Sequence, residues 1–333
     1  MTVSLFDNSI LLSLLLAFLL TTHNPTVQDT FLSSSQLMHT LESAADKQTF
    51  LDGVDTFLLD CDGVIWSGND VFPNVHYVLD TLRSMGKRLL FVTNNSTKSR
   101  AAYRKKFTSL NLTADVDEIF GSSYAAAYYL KHILNFPDDK NVYICGMEGI
   151  QEELKAEEIS YIGSSADDEN LKSMDDMATI LPDPSVGAVL FGFDLNINYK
   201  KLAKAFTYLH DNPSVHFVAT NSDLTYPAGG RVYPGTGALL SALSASVGRK
   251  PIICGKPEQT MLDVIINKYH LNVERTCMVG DRLDTDIEFG KLGGLKTLLV
   301  MTGVTSKQEL STTHIIPDYV MKGLGELLPP PSN

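Results

Sequence analysis

Short apolar runs alternate with amphipathic segments along most of this chain. Four of these runs, at residues 55–60, 88–93, 251–255 and 276–279, are compact and bounded by turn-forming residues, so each is predicted to be a strand. The segment 73–86 has apolar residues at helical spacing between a proline and a glycine, and it is predicted to be a helix. This alternation of strand and helix predicts an α/β fold built on a parallel sheet.

A second series of strands and helices follows. The pattern predicts strands at 142–146, 186–193 and 215–220, and helices at 148–157 and 199–210. Because the chain returns to the first pattern only afterwards, the second series is predicted to be a domain inserted into the first. The predicted division is a leader or linker at 1–45, a core domain at 46–123 and 250–333, and an inserted domain at 124–249.

Two carboxylates follow the first strand. Asp60 and Asp62 lie at i and i+2, and Gly63 comes next. Side chains two apart on a strand point to the same side, so we expect the pair to share a cleft. Like charges in one cleft are costly unless a cation or a proton is shared, which indicates a metal site or acid/base chemistry. The alternative is a solvated turn.

The other three strands of the first series also end in polar residues. Thr93, Asn94 and Asn95 precede a helix predicted to start near residue 98, and free N–H groups at a helix N-terminus bind anions. Lys256 follows the third strand, and Asp281 follows the fourth. Ligands of open parallel sheets bind beyond the carboxyl ends of the strands, so we expect these residues to meet.

Taken together, the segments Asp60-Cys61-Asp62-Gly63, Thr93-Asn94-Asn95, Gly255-Lys256-Pro257 and Gly280-Asp281, with Asp286 beyond, resemble the haloacid dehalogenase superfamily. The resemblance implies a Rossmann-like core with a parallel sheet. The inserted α/β domain and the Pro-Gly-Thr-Gly segment at 234–237 resemble the branch with a C2-type cap domain. Within it, the chain is similar, over about residues 50–325, to the group of 4-nitrophenylphosphatases, phosphoglycolate phosphatases and pyridoxal phosphatases.

The resemblance implies a Mg²⁺-dependent phosphomonoester hydrolase acting through an aspartyl phosphate. Asp60 would be the nucleophile, and Asp62 would protonate the leaving oxygen and later deprotonate water. Mg²⁺ prefers oxygen ligands, here the Asp60 carboxylate, the Asp62 carbonyl and Asp281.

The remaining predicted site residues bind the phosphoryl group or support those that do. Lys256 would supply a positive charge, and Asp286 would hold Lys256 in place. Thr93, Asn94 and Asn95 would bind the phosphate. A response-regulator receiver, which accepts phosphate without turnover, is a remote alternative, since it lacks a second acid two residues on and an inserted cap.

Substrate choice in this group is assigned to the cap loop after Asp223. Pyridoxal phosphatases of the group carry a histidine where this chain places Tyr226. The difference favours 2-phosphoglycolate over pyridoxal phosphate, with sugar phosphates, nucleotides and phosphoproteins as further alternatives. Tyr226 as a core or turn aromatic is an equal alternative to Tyr226 as a substrate contact.

Charge and composition narrow the partners. A net charge of −12 and a pI near 5.1 argue against nucleic acid as a partner. The same charge does not favour a phosphorylated metabolite, which the resemblance implies as the substrate, so the phosphate site must be cationic locally, through a metal and Lys256. The resemblance also implies a possible homodimer formed through the cap. The acidic loop 164–184 and the basic residues of the helix predicted at 98–110 (Arg100, Arg104, Lys105 and Lys106) are predicted to be solvated surface.

The compartment is predicted from the cysteines and from two glycosylation sequons. The four cysteines lie in or beside apolar runs without C-x-x-C spacing, which is typical of reduced, buried thiols. The sequons start at Asn94 and Asn95, where a glycan would block the predicted site. A cytosolic enzyme is therefore expected. The apolar run at 10–20 is too short for a membrane span of ~20 residues, but it has the length of the apolar region of a signal peptide. A secreted or membrane-anchored form is therefore the alternative.

Overall fold

The computed structural model describes residues 38–329, so the apolar run at 10–20 lies outside the described part of the chain. In chain order, the strands of this part are β1 (His39–Thr40), β2 (Thr56–Leu59), β3 (Trp66–Ser67), β4 (Asp70–Val71), β5 (Arg88–Thr93), β6 (Ile119–Gly121), β7 (Asn141–Cys145), β8 (Tyr161–Gly163), β9 (Val186–Phe191), β10 (His216–Ala219), β11 (Thr225–Ala228), β12 (Arg231–Pro234), β13 (Ile252–Ile253), β14 (Thr276–Gly280), β15 (Lys296–Val300) and β16 (Tyr319–Met321). None of the described helices is both long enough and apolar enough to cross a membrane.

The described residues form ten α-helices, which include those predicted at 73–86, from near residue 98, at 148–157 and at 199–210. They span Ala44–Asp52, Val75–Ser84, Arg100–Ser109, Ser122–Tyr128, Glu148–Ala156, Tyr199–Asp211, Thr236–Val247, Gln259–Tyr269, Glu288–Leu292 and Lys307–Thr312. In the helix Val75–Ser84, the buried residues Val75, Val78, Leu79 and Leu82 recur at the spacing of one helical face.

Two parallel sheets organise the described residues. The first has seven strands in the order β1-β16-β15-β14-β2-β5-β6, and every neighbouring pair is parallel. The second has five strands in the order β13-β10-β9-β7-β8, again all parallel. The antiparallel pairs β3-β4 and β11-β12 form two small hairpins. The predicted α/β fold class is therefore confirmed.

The two sheets share an apolar core. Along β2, Phe57 and Leu59 belong to the cluster on one face, whereas Leu58 belongs to the cluster on the other, as the two-residue period of a strand requires. The cluster around Leu58 also contains Val142 and Leu190 of the second sheet. The sheets are thus joined by packing on one continuous hydrophobic layer, in addition to the chain connections between them.

Two predicted boundaries differ from the strand pairing. The run 251–255 was predicted to be a strand of the core, but β13 pairs with β10 of the second sheet. Hydropathy shows that a run is buried, and it does not show which of two parallel sheets the run joins. Likewise, β1 and the buried Leu41 belong to the first sheet and its core, although 1–45 was predicted to be leader. The division into a core and an inserted cap domain stays a prediction.

The acidic loop predicted as solvated surface is partly buried. Asp167 is only 4% exposed, and its carboxylate pairs with Lys200 and Lys204 and accepts a hydrogen bond from the Tyr143 hydroxyl. Burial alone would raise the pKa of Asp167, but Lys204 and Lys200 together lower it below its ordinary value. The lysines lie more than thirty residues further on, so the loop's own sequence gives no sign of this pairing.

Candidate active site

The predicted site residues meet at the carboxyl ends of neighbouring strands. β14, β2 and β5 lie side by side in the first sheet, and Asp281, Asp60 and Thr93 lie at or just beyond their ends. These residues line a cavity of about 680 Å³. Asp62, Asn94, Asn95, Lys256, Asp286 and Tyr226 line the same cavity, so every predicted site residue reaches it.

Lys256 lies between two carboxylates at the base of the cavity. Its Nζ is 2.6 Å from Oδ1 of Asp60 and 2.7 Å from Oδ1 of Asp286, and it also donates to the carbonyl oxygen of Val92. The lysine is 1% exposed. Burial alone would lower the pKa of Lys256, but Asp286 and Asp60 raise it above its usual value. The lysine is therefore held as a cation beside Asp60.

Asp281 adds a third carboxylate, which forms no ion pair with a lysine among residues 38–329. Carboxylate oxygens of Asp60, Asp281 and Asp286 lie within 4.8 Å of one another. Burial and the neighbouring Asp286 raise the pKa of Asp281 to about 7, and burial raises that of Asp60 well above its ordinary value. Lys256 is one cation beside three carboxylates, so the cluster is short of positive charge, and its carboxylate oxygens fit a hard divalent cation such as Mg²⁺.

The turn after Asp60 separates Asp62 from that cluster. β2 ends at Leu59, so the two aspartates are not on strand positions, and the expected alternation does not apply to them. Instead, Asp62 accepts a hydrogen bond of 2.9 Å from Nε1 of Trp66. The turn needs Gly63, whose φ of +91° is left-handed and where a Cβ would lie 2.6 Å from the Asp281 carboxylate.

Asn94 joins the two sheets at the cavity wall. Its side-chain nitrogen donates to the Asp223 carboxylate at 3.0 Å and to the Lys256 carbonyl at 2.9 Å, and its side-chain oxygen accepts from the Lys256 amide. The Asn221 side chain donates to the Asn94 carbonyl. The Asn94 side chain, predicted to bind phosphate, is thus occupied in fixing the backbone that carries Lys256. The Thr93 hydroxyl accepts from the Asn95 amide.

Lys256 enters the cavity from the second sheet. It follows β13, the edge strand of that sheet, and the peptide bond to Pro257 is cis. The next helix begins at Gln259, two residues after this proline. A lysine supplied by one sheet therefore neutralises carboxylates supplied by the other.

Tyr226 lies on the hairpin β11-β12 above the same cavity. Its ring stacks on Phe193, with ring centroids 4.7 Å apart. Burial raises its pKa, and the nearby charge of Asp62 adds to the shift. The side chain is half-buried, whereas Leu224 before it is 66% exposed. Tyr226 therefore borders the cavity without belonging to the main core.

Sequence reasoning missed three charged residues of the cavity. Asp223 is the partner of Asn94, Arg282 pairs with Asp284 beside the cluster, and Lys106 lies 3.8 Å from Asp62. Lys106 was predicted to be solvated because its helix carries several basic residues in a row. The Thr-Asn-Ser-Asp segment at 220–223 was the available signal for Asp223; nothing local marked Lys106.

Comparison with known proteins agrees with this geometry. The family model described as haloacid dehalogenase-like hydrolase matches residues 57–160, and the related HAD-hydrolase-like model matches residues 253–327. Both matches contain residues of the cavity: the first contains Asp60 and Asp62, and the second contains Lys256 and Asp281.

Individual relatives cover most of the chain. Phosphoglycolate phosphatase 2 of Arabidopsis thaliana is 45% identical over 292 residues, which are 86% of this chain and 97% of the relative. A 4-nitrophenylphosphatase of Schizosaccharomyces pombe is 42% identical over 295 residues, with the same coverage. The crystal structure of a glycerol phosphate phosphatase from Mycobacterium tuberculosis, in complex with magnesium, superposes with a TM-score of 0.70 at 26% identity, covering 84% of this chain and 77% of that chain.

Proposed function

Since this chain belongs to the haloacid dehalogenase-like hydrolases and is a phosphoric monoester hydrolase, we propose that it hydrolyses 2-phosphoglycolate with Mg²⁺ through an aspartyl phosphate on Asp60. The observation that carries the proposal is the geometry at Asp60. Its carboxylate lies at a strand end in the cavity, 2.6 Å from the buried Lys256 and in one cluster with Asp281. Family membership sets aside the receiver-like alternative.

The reaction has two balanced steps. First, an Asp60 oxygen forms a bond to phosphorus while the bond from phosphorus to the leaving oxygen breaks, and Asp62 gives that oxygen its proton. Second, water attacks the same phosphorus, Asp62 takes the proton from the water, and the bond to Asp60 breaks. Inorganic phosphate leaves, and both aspartates return to their initial states. Lys256 keeps its charge throughout and stabilises the phosphoryl oxygens.

The acidic cluster supports the metal. Asp60, Asp281 and the backbone carbonyl of Asp62 would hold Mg²⁺. Asp286 would stay paired with Lys256, and its carboxylate accepts hydrogen bonds from the backbone N–H groups of Asp281 and Arg282. When bound, the ion would neutralise charge on the transferring phosphoryl group. The raised pKa values of Asp60 and Asp281 are a further reason to expect a cation here, since an added cation stabilises the ionised carboxylates.

The choice of 2-phosphoglycolate draws on the relative from Arabidopsis thaliana and on the cavity's cations. Lys98 and Arg231 line the cavity, and neither has an ion-pair partner among residues 38–329. They could meet the carboxylate of an anionic substrate. Glycerol phosphate is the main competing substrate, because the magnesium-bound neighbour is named for it.

The substrate test is a panel of phosphomonoesters assayed with the unmodified enzyme. The expected order places 2-phosphoglycolate above glycerol 3-phosphate, pyridoxal phosphate and sugar phosphates in kcat/KM. Changing Tyr226 to Ala or His should reorder the panel by about 10–200-fold while affecting 4-nitrophenyl phosphate less. A uniform loss would show that Tyr226 is structural, and a lower rank for 2-phosphoglycolate would overturn the substrate assignment alone.

We also propose a homodimer formed through the predicted cap domain, at the hairpin β11-β12. Three large apolar side chains are exposed together on this hairpin: Leu224 (66%), Val232 (67%) and Tyr233 (48%). An exposed apolar patch of this kind is typical of a protein–protein interface. Sedimentation velocity of the full chain should give a dimer, and Val232→Asp should give a monomer. A monomeric unmodified protein would refute the proposal.

The cytosol is the proposed compartment. All four cysteines are free and buried, and Asn94 is buried in a hydrogen-bonded position where no glycan fits. Fractionation of cells producing the full chain should place it with cytosolic markers and without a shift on glycosidase treatment. Recovery in the secretory pathway would contradict the proposal.

A further inference from the structure

We propose that Lys106 and Trp66 are positioning residues of the reaction, holding Oδ1 of Asp62 so that Oδ2 is the oxygen that exchanges the proton. This inference rests on the proposed role of Asp62 as the acid and base. The carboxylate of Asp62 is not part of the acidic cluster of Asp60, Asp281 and Asp286, and the Asp62 side chain is 43% exposed. An exposed carboxylate on a short turn would otherwise rotate freely, so something must set its orientation.

Trp66 provides the first restraint. Its Nε1 donates to Oδ1 of Asp62 at 2.9 Å. The indole itself is completely buried and packs edge-on against Phe107, with centroids 4.9 Å apart. The donor is therefore fixed by the core, and it fixes one oxygen of Asp62 in turn.

Lys106 provides the second restraint on the same oxygen. Its Nζ lies 3.8 Å from Oδ1 of Asp62 and 4.1 Å from the centroid of the Trp66 ring. A cation above an aromatic face is attracted to the ring, so the lysine is held by both of its partners. Its side chain is only 17% exposed, which limits competition from water.

The second oxygen of Asp62 stays available. No hydrogen bond to Oδ2 is found among residues 38–329, whereas Oδ1 has both the indole N–H and the lysine. In the first step, the Oδ2 proton passes to the leaving oxygen as its bond to phosphorus breaks. In the second step, Oδ2 takes a proton from the attacking water. The lysine and the indole keep their own protons throughout.

Two substrates of similar shape test this role. Phenyl phosphate has a basic leaving oxygen that needs a proton, whereas the leaving oxygen of 4-nitrophenyl phosphate departs readily without one. A misplaced Asp62 should therefore slow the first substrate more than the second. The ratio of the two kcat/KM values is measured in one preparation, so it does not depend on the fraction of protein that is folded.

The variants are K106M, K106Q, K106R, W66F and, as a matched control, K105M. Lys105 is the exposed neighbour on the same helix. K106M and K106Q should lower kcat/KM for phenyl phosphate about tenfold more than for 4-nitrophenyl phosphate, which is a part of the 10²–10⁴-fold that a general acid contributes. W66F should change the ratio in the same direction, K106R should restore most of it, and K105M should leave it unchanged.

The D62N variant separates this inference from the function on which it rests. D62N should show the largest change in the substrate ratio. If D62N leaves the ratio unchanged, the assignment of Asp62 as the acid is wrong. If D62N changes the ratio but both K106M and W66F lose activity equally on the two substrates, or lose none, the positioning role is overturned while the proposed function stands.

Discussion

The described residues include two buried lysines that each lie between two aspartates. At the carboxyl ends of the first sheet, Lys256 lies 2.6 Å from Asp60 and 2.7 Å from Asp286. On the helix Tyr199–Asp211, beside the second sheet, Lys201 lies 2.6 Å from Asp168 and 2.7 Å from Asp194. Both lysines are 1% exposed. The local geometry is almost the same, so it cannot be what distinguishes a reactive site from a structural one.

The surroundings of the two lysines differ in charge. Around Lys201, the carboxylates of Asp167, Asp168 and Asp194 are matched by three lysines, Lys200, Lys201 and Lys204. Around Lys256, Asp281 is a third carboxylate, and within the described part of the chain no lysine pairs with it. The pKa of Asp167 is accordingly lowered, while that of Asp281 is raised to about 7. A balanced cluster stabilises the fold, and a cluster short of positive charge in a cavity can take a cation.

The largest difference should appear when the equivalent aspartates are replaced. Asp60→Asn should lower kcat by at least about a thousandfold, because the amide is a poor nucleophile and loss of a nucleophile commonly costs that much. Asp194→Asn is the matched change at the other lysine, and kcat per folded molecule should stay within about threefold, since no catalytic step uses it. Initial rates on 4-nitrophenyl phosphate, corrected for folded fraction by a thermal melt, measure both. Comparable losses in kcat for the two variants would contradict the distinction between a reactive cluster at Lys256 and a structural one at Lys201.

Metal removal should affect only the first cluster. Excess EDTA should abolish activity, and Mg²⁺ should restore it. Mg²⁺ at a hundredfold excess over its Kd should also stabilise the protein by about 2.7 kcal/mol, which a thermal shift detects. Asp281→Asn should remove this Mg²⁺-dependent shift, and Asp168→Asn should keep it. Full activity in EDTA would rule out the metal assignment.

Replacing Lys201 should lower the stability of the fold and leave kcat unchanged. Lys201→Met leaves Asp194 buried without its cation, which should lower the free energy of unfolding by about 3 kcal/mol. The kcat of the folded fraction should not change. Urea unfolding measures the first quantity and active-site titration the second. A stable variant with impaired kcat would show that this cluster acts on the reaction.

The smallest effect concerns pH. The pKa of Asp167 is lowered in the folded state, so its contribution to stability is present above the unfolded value of about 3.9 and is lost as the pH falls through the folded value. Lys204→Met should therefore destabilise the protein by about 1 kcal/mol or less at pH 7. The difference from the unmodified protein should vanish in acid. Thermal melts of both proteins from pH 2 to 7 measure this difference in stability. A difference that grows as the pH falls would contradict the lowered pKa of Asp167.

The sequence predicted those site residues that their neighbours in the chain mark, and it did not predict those whose contacts come from distant parts of the chain. Asp60, Thr93 and Asp281 were predicted because each follows an apolar run, and the structure brings them together in one cavity. Lys106 and Asp167 were predicted to be solvated, because their partners are distant in the chain and only the folded packing brings them near. β13 was assigned to the wrong sheet for the same reason, since strand pairing is a long-range property.

The central claim is that Asp60 carries the phosphoryl group and that Mg²⁺ is needed for this. The most direct measurement is mass spectrometry of the D62N variant, quenched in acid after mixing with 4-nitrophenyl phosphate. This substrate should still phosphorylate the enzyme, and the intermediate should accumulate because water is no longer activated. The account predicts one phosphoryl group on Asp60 when Mg²⁺ is present and none in EDTA. Turnover of the unmodified enzyme together with no phosphoryl group on Asp60, or a phosphoryl group on another residue, would contradict it.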